Sequence, residues 1–331
     1  MQIKQKLDYP IWKTPYFCIV GLFVFIKLVK AGALTLLINK QFFNKKINLT
    51  LKFFNLIFYR DNKEEIGKKL LSCLIDLGPG YIKFGQALST RPDLVDEKTC
   101  QYLKKLQDDI EPFSSSIAKK IIETESQNLI DNIFSSFDER PIANASVAQV
   151  HTAILKSGET VAVKLLKPNI QKKLFNDFIF FYWASKCLEI AIPSIKRLKL
   201  SKNVEVLSEV SLNELDLTLE ASAAEELSEN FKNNPNYKVP KIYWELTSKN
   251  MLVLEYIKGI RIDDIDALKK ANHNIKKITE IGTEVFFLQV FRDVFFHGDM
   301  HPGNILINPK GVLVPIDFVI FGRLSNNDRQ F

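Results

Sequence analysis

The run His297-Gly298-Asp299-Met300-His301-Pro302-Gly303-Asn304 concentrates side chains suited to proton and metal chemistry. An aspartate, four intervening residues and an asparagine, in a loop after a helix, match the H-x-D-x-x-x-x-N catalytic loop of phosphotransferases. In that pattern Asp299 orients or deprotonates an attacking hydroxyl, and Asn304 offers an amide oxygen to a magnesium ion. Asp317 follows thirteen residues later, after the apolar string Leu313-Val314-Pro315-Ile316. A carboxylate at a strand end just past the loop supplies the second magnesium ligand. The competing explanation, a polar surface turn, needs six unusual residues to coincide by chance.

Such chemistry also needs a lysine on a strand, held by a glutamate on a helix, to grip phosphates. Val161-Ala162-Val163-Lys164 has the apolar lead-in of a buried strand, and Lys164 is the candidate. Its partner should come from a helix predicted over residues 204–230. There Asp216 and Glu220 are four apart and share a face, whereas Glu214 lies well round the helix from both. Carboxylates on a helix are usually a solvated face, but the lysine favours Glu220. The phosphate loop should lie between the first two strands, at Ile142-Ala143-Asn144-Ala145-Ser146-Val147-Ala148-Gln149-Val150. It has no glycine. Small side chains still let backbone N–H groups approach phosphates, with less φ freedom.

The elements that must position these residues are readable from periodicity. Residues 63–77, 81–89, 96–106 and 117–129 read as helices, punctuated by Gly78-Pro79-Gly80, Arg91-Pro92 and Pro112. From Pro141 the period changes to two: strands are predicted at 146–153 and 160–166, joined by a Ser157-Gly158 turn, and later at 241–247 and 251–256. Helices are predicted at 170–190, 204–230 and 275–296. This order fits an α+β, protein-kinase-like two-lobed fold with a helical N-terminal extension. The divisions are residues 1–60, a basic apolar arm; 61–135, a helical extension; 136–256, the first lobe; and 257–331, part of the second.

Charge is unevenly spread over the 331 residues. The net charge is +7, yet residues 1–60 alone carry +9, with one acid, Asp8, against ten Lys and Arg. Lysines interleave with apolar stretches at 15–26, 31–38 and 49–59. Helices of this kind suit the headgroup region of an anionic membrane; a true span would put Lys27 and Lys30 near mid-depth, which is costly. Burial as ordinary core helices is the plainer alternative. Nucleic acid is not expected as partner, because the arm has one arginine and no stacking platform. Cys18, Cys73, Cys100 and Cys187 are scattered without a CxxC pair, which argues against a zinc ribbon or disulfide framework.

Taken together these residues resemble the UbiB family of atypical protein-kinase-like proteins, the aarF-domain kinases linked to ubiquinone biosynthesis. The resemblance covers roughly residues 60–331. Tyr81-Ile82-Lys83-Phe84-Gly85-Gln86, continuing through Ser89-Thr90-Arg91-Pro92-Asp93-Leu94, is similar to the family's KxGQ signature. Ala143 to Ser146 stands where the family has an alanine-rich loop, Glu214-Leu215-Asp216 resembles its ExD motif, and His297 to Asn304 its HxDxHPGN loop. Two departures are Asn144 among the alanines and Val319 where the family has the glycine of D-F-G.

The resemblance implies roles that the residues alone do not give. Lys83 and Gln86 would lie over the active site as regulatory residues, with Glu214 pairing with Lys83. Residues 61–135 would form a cover that restricts protein substrates and favours ATP hydrolysis or a small lipid-like substrate. ATP and Mg2+ would be the cofactors. Partners would be an anionic membrane surface and either quinone-biosynthesis enzymes or prenylated quinone precursors. The location would be the cytoplasmic face of the inner membrane. Two rival functions stand beside this one: a lipid-binding pseudokinase without turnover, which Val319 favours, and an aminoglycoside-kinase-like phosphotransferase, which the Lys83–Gln86 signature opposes. Only 75 residues follow Tyr256. The chain is therefore expected to be truncated or split and poorly active alone, with the apolar face of 275–296 exposed.

Overall fold

A computed structural model describes residues 7, 13–38, 45–59, 65–107, 112–298 and 300–324. In chain order the helices begin with α1 (Thr14–Lys30), α2 (Ala33–Leu37), α3 (Lys45–Phe58), α4 (Ile66–Leu77), α5 (Pro79–Ser89) and α6 (Glu97–Leu103). Then come α7 (Ser115–Ser126), α8 (Ile130–Ile133), β1 (Phe134–Phe137), β2 (Ala143–Asn144), β3 (Ala148–Leu155) and β4 (Thr160–Leu166). Next are α9 (Ile170–Ala191), α10 (Leu200–Asn213), α11 (Leu217–Asn230), β5 (Met251–Glu255), β6 (Ile260–Arg261), α12 (Ile265–Lys270) and α13 (Ile275–Phe287). The last elements are β7 (Phe295–His297), β8 (Ile305–Ile307), β9 (Leu313–Pro315) and β10 (Phe321–Arg323). They form two compact units: one within residues 1–112, 144–148 and 167–212, the other within 113–143, 149–166 and 213–331. This division runs across the segments expected from the sequence: α9 packs on α1 and α5, α10 falls in the same unit, and the boundary at Pro112 splits the helical extension.

The first unit is helical. α1 has Pro15 in its first turn and Lys27 and Lys30 in its last, both favourable to the helix dipole, and it stops at Gly32, whose φ of +90° suits glycine. Phe17 of α1 packs on Phe180 and Trp183 of α9, at 6.2 and 5.6 Å between ring centroids. α3 buries nothing: Leu49, Phe53, Leu56 and Ile57, spaced along one helical face, are all more than half exposed. On α1, Tyr16, Ile19, Leu22 and Phe23 are also exposed. Among the described residues no helix is long and apolar enough to cross a membrane.

The second unit is built on a five-stranded sheet in the order β1-β3-β4-β5, with β2 on β3. Gly158, at φ +96°, makes the turn between β3 and β4. Val161, Val163 and Leu165 of β4 point into one core with Ala118 and Ile122 of α7, Phe134, and Met251 and Val253 of β5. Alternation thus leaves Lys164 on the opposite face. A three-stranded sheet, β6-β8-β9, and a ribbon, β7 with β10, complete the unit.

Several elements differ from expectation. The helix predicted over 204–230 is two helices, because Asp216 turns its side chain onto Thr218 N at 3.2 Å and caps α11. Asp216 and Glu220 therefore do not share a helix face. Residues 241–247 hold only a single bridge, Ile242 to Leu254, and a short 3-10 turn, Trp244–Leu246. The helix at 275–296 ends at Phe287, passes through a π-helical turn, Leu288–Arg292, and gives way to β7. Ile278, Ile281 and Val285 of α13 are buried, so the face expected to lack a partner is covered there; Phe286, Phe287 and Phe291 are exposed.

Candidate active site

Lys164 stands at the centre of β4, opposite Leu252 of β5. Its Nζ donates to both Glu220 oxygens, at 2.7 and 2.8 Å, and to Asp317 Oδ1 at 3.2 Å. Glu220 sits in the first turn of α11, where the Asp216 cap fixes the start of the helix and the dipole favours a carboxylate. It is buried and also accepts from Phe318 N at 3.4 Å. One glutamate thus ties the β4 lysine to the backbone just after Asp317.

Burial opposes the Lys164 charge, but the carboxylates of Asp317 and Glu220 outweigh it and hold the ammonium above its ordinary range. Burial likewise works against an ionised Asp317, and Lys164 overcomes this to bring it below the usual carboxylate value. Burial pushes the Glu220 carboxyl up, Lys164 pulls the other way, and Asp317 adds to the rise. Two carboxylates share one ammonium, so the cluster is one positive charge short.

Asn304 and Asp317 are brought together by the β8–β9 hairpin. Ile305 faces Pro315 in its register, and Ile316 N donates to the Asn304 carbonyl at 2.9 Å. A 3-10 turn, Pro302–Asn304, leads into β8, and His301 Nδ1 caps it by accepting from Gly303 N. The donor set of one amide oxygen and one carboxylate, a third exposed, beside a cluster short of positive charge, fits a magnesium ion. Asp299 lies outside the described residues. Its neighbours are anchored: His297 Nε2 donates to the Asp317 carbonyl at 2.7 Å, and Gly298 N to the Ile320 carbonyl at 2.8 Å.

Behind this loop is a support that the sequence reading missed. Gln289, fully buried in the π-helical turn, accepts from His297 N at 2.9 Å and reaches Tyr237 Oη at 3.4 Å. A glutamine inside the apolar string Phe286-Phe287-Leu288-Gln289-Val290-Phe291 was the signal available. A cavity of about 190 Å3 adjoins the cluster, lined among others by Glu214, Asp216, Glu220, Phe318, Val319 and Phe321. Val319 is not among the residues with positive φ, so this segment does not require glycine there.

The remaining candidates are placed as follows. In the 142–150 hairpin, Ile142 N donates to the Val150 carbonyl and Ala145 N to the Ala148 carbonyl, each at 2.8 Å. Ser146, Val147, Ala148 and Gln149 are buried; Ala143 is exposed, and Asn144 Oδ1 is buried with no hydrogen-bond partner. Gln149 instead braces the sheet, accepting from Phe113 N at 3.0 Å and lying 2.8 Å from His151 Nε2. In the first unit Lys83 is buried on α5, and Gln86 donates to the Leu106 carbonyl at 2.9 Å. Gly85 is required by packing: a Cβ there would lie 2.4 Å from Leu106 Cδ1 and 2.7 Å from Leu74 Cδ1.

A strand lysine paired to a helix glutamate, with an aspartate and an asparagine at one hairpin end, defines a protein-kinase-like α+β fold. Residues 105–331 match the family described as the ABC1 atypical kinase-like domain, and the chain belongs to that family. It is 40% identical over 283 residues to "Probable protein kinase UbiB" of Aliivibrio fischeri, covering 83% of this chain and 52% of that one. It is 43% identical over 269 residues to the protein of the same name from Marinobacter nauticus, covering 80% and 49%. The chain thus spans about half the length of the curated relatives it matches. Among solved structures it resembles Rv3197 of Mycobacterium tuberculosis, determined in complex with erythromycin, with a TM-score of 0.51, 25% identity, and coverage of 84% of this chain and 68% of that one.

Proposed function

We propose that this chain carries the catalytic centre of an ATP- and magnesium-dependent atypical kinase or ATPase that works at a membrane surface in ubiquinone biosynthesis. The observation that carries the reading is the triangle of Lys164, Glu220 and Asp317. Lys164 grips phosphate oxygens, and Glu220 holds the ammonium in place while fixing the backbone after Asp317. Asn304 and Asp317 would hold the magnesium ion, which when bound neutralises phosphate charge. Asp299, two residues past the anchored His297, takes the proton of the attacking hydroxyl or water.

The membrane part of the reading rests on the exposed apolar faces of α1 and α3 and on the +9 charge of residues 1–60. The cytoplasmic face of an inner membrane, quinone-biosynthesis partners and a prenylated quinone precursor as ligand follow from the family resemblance, as does the regulatory role of Lys83, Gln86 and Glu214. Asp299→Asn tests the catalytic part, since it removes the proton acceptor and keeps the shape. ATP turnover should fall at least ~100-fold with the thermal midpoint unchanged. Turnover retained within about twofold would reject the assignment.

A further inference from the structure

The 3-10 turn Pro193–Leu198 reverses the chain between α9 and α10 and opens a cavity of about 430 Å3 in the first unit. Lys186, Lys196, Lys199 and Lys202 line it against one acid, Glu189, a net of +3. Glu189 is committed to structure: its oxygens accept from Ser201 N at 2.9 Å and Ser201 Oγ at 3.0 Å, at the start of α10. Lys202 pairs with Glu205 at 3.1 Å. Among the described residues no ion pair ties Lys196 or Lys199 to a carboxylate.

The cavity also has an apolar wall. Ile190 belongs to its lining and is 77% exposed. Trp183, one turn before Lys186 on α9, is where Phe17 of α1 docks. The basic cavity therefore opens within two turns of the helix that exposes Ile19, Leu22 and Phe23. We infer that this cavity binds the phosphate of an anionic phospholipid headgroup while Ile190 and α1 meet the lipid surface. Lys202 is paired with Glu205 and Lys186 lies over the Tyr182 ring at 5.3 Å, so Lys196 and Lys199 supply most of a diffuse positive field, which suits a headgroup held at a surface. A free phosphate would gain nothing from the apolar wall. Lysine stems can lie along such a wall with their ammonium groups at the phosphate level.

This inference rests on the membrane part of the proposed function, and its test separates the two. The 331-residue protein is floated with vesicles of phosphatidylcholine alone and of phosphatidylcholine mixed with phosphatidylglycerol. The parent should prefer the anionic vesicles, and Lys196→Gln/Lys199→Gln should bind them about tenfold more weakly with binding to neutral vesicles unchanged. Lys196 and Lys199 are exposed, so the variant should keep the parent's thermal midpoint. Lys276→Gln/Lys277→Gln, the same charge loss on α13, should retain the preference. Anionic preference kept in full by the Lys196/Lys199 variant, or lost equally in the Lys276/Lys277 variant, overturns the cavity and leaves the membrane reading standing. A parent that floats with neither vesicle overturns both. Inorganic phosphate alone should not raise the parent's thermal midpoint; a rise that depends on Lys196 and Lys199 would assign a free-phosphate site and reject the lipid.

Discussion

Lys164 is held by two carboxylates in a place where burial opposes every charge in the cluster. Removing the lysine leaves Glu220 and Asp317 facing each other without a cation, and breaking a buried ion pair from one side is strongly destabilising. Lys164→Met should therefore cost about 3 kcal/mol in urea unfolding, and adding Glu220→Gln should recover part of the loss. A Lys164→Met protein as stable as the parent would show that the cluster is not held as described. At this scale much was legible. The alternation before Lys164 marked it as the strand lysine, and Glu220 was the acid that the lysine favoured. The contact of Lys164 with Asp317 was not legible, because 153 residues separate them and local periodicity carries no information about such a distance. Gln289 was overlooked because the apolar string around it reads as uninterrupted helix, although a glutamine there has to find partners.

At the scale of elements, caps and close approaches decide where helices start and how near they lie. Asp177 of α9 accepts from Gly80 N at 3.0 Å and thereby holds the first turn of α5. A Cβ on Gly80 would lie 2.4 Å from Asp177 Cβ, which explains the glycine after Pro79. Burial pushes the Asp177 carboxyl up to about 6, against the pull of the Gly80 hydrogen bond and Lys173. The folded chain thus holds this proton more tightly than the unfolded chain, whose carboxyl titrates near 3.8. The stabilisation from that proton is complete below the unfolded value and is lost as pH rises through about 6. Asp177→Asn keeps an acceptor and removes the titration. Its stability relative to the parent should grow by up to about 3 kcal/mol between pH 4 and pH 7. Unfolding curves for the two proteins that run parallel across that range would contradict the burial argument. The break at Asn213–Asp216 was missed for a related reason. No glycine or proline marks it, and only the aspartate two before Thr218 announces a cap.

At the scale of the molecule, the sequence indicated an α+β kinase-like order of elements and a basic apolar N-terminus, but not how the chain divides. Which helices α9 packs against depends on three-dimensional contacts such as Phe17 with Trp183, which no local pattern records. The exposed face of α3 offers a direct handle on the membrane reading. Leu49→Ser/Phe53→Ser/Leu56→Ser removes apolar side chains that are each more than half exposed, so the thermal midpoint should hold while vesicle binding falls at least ~10-fold. Unchanged vesicle binding would assign the face another role. In the proposed function Asp317 and Asn304 hold a magnesium ion beside Lys164, and through it the chain binds ATP. Calorimetric titration of ATP, with and without Mg2+, into the parent and Asp317→Asn tests it most directly. The parent should bind ATP at least ~10-fold more tightly with Mg2+ than without, and Asp317→Asn should lose that difference. Equal affinity with and without the metal in the parent, or a full magnesium effect in Asp317→Asn, would contradict it.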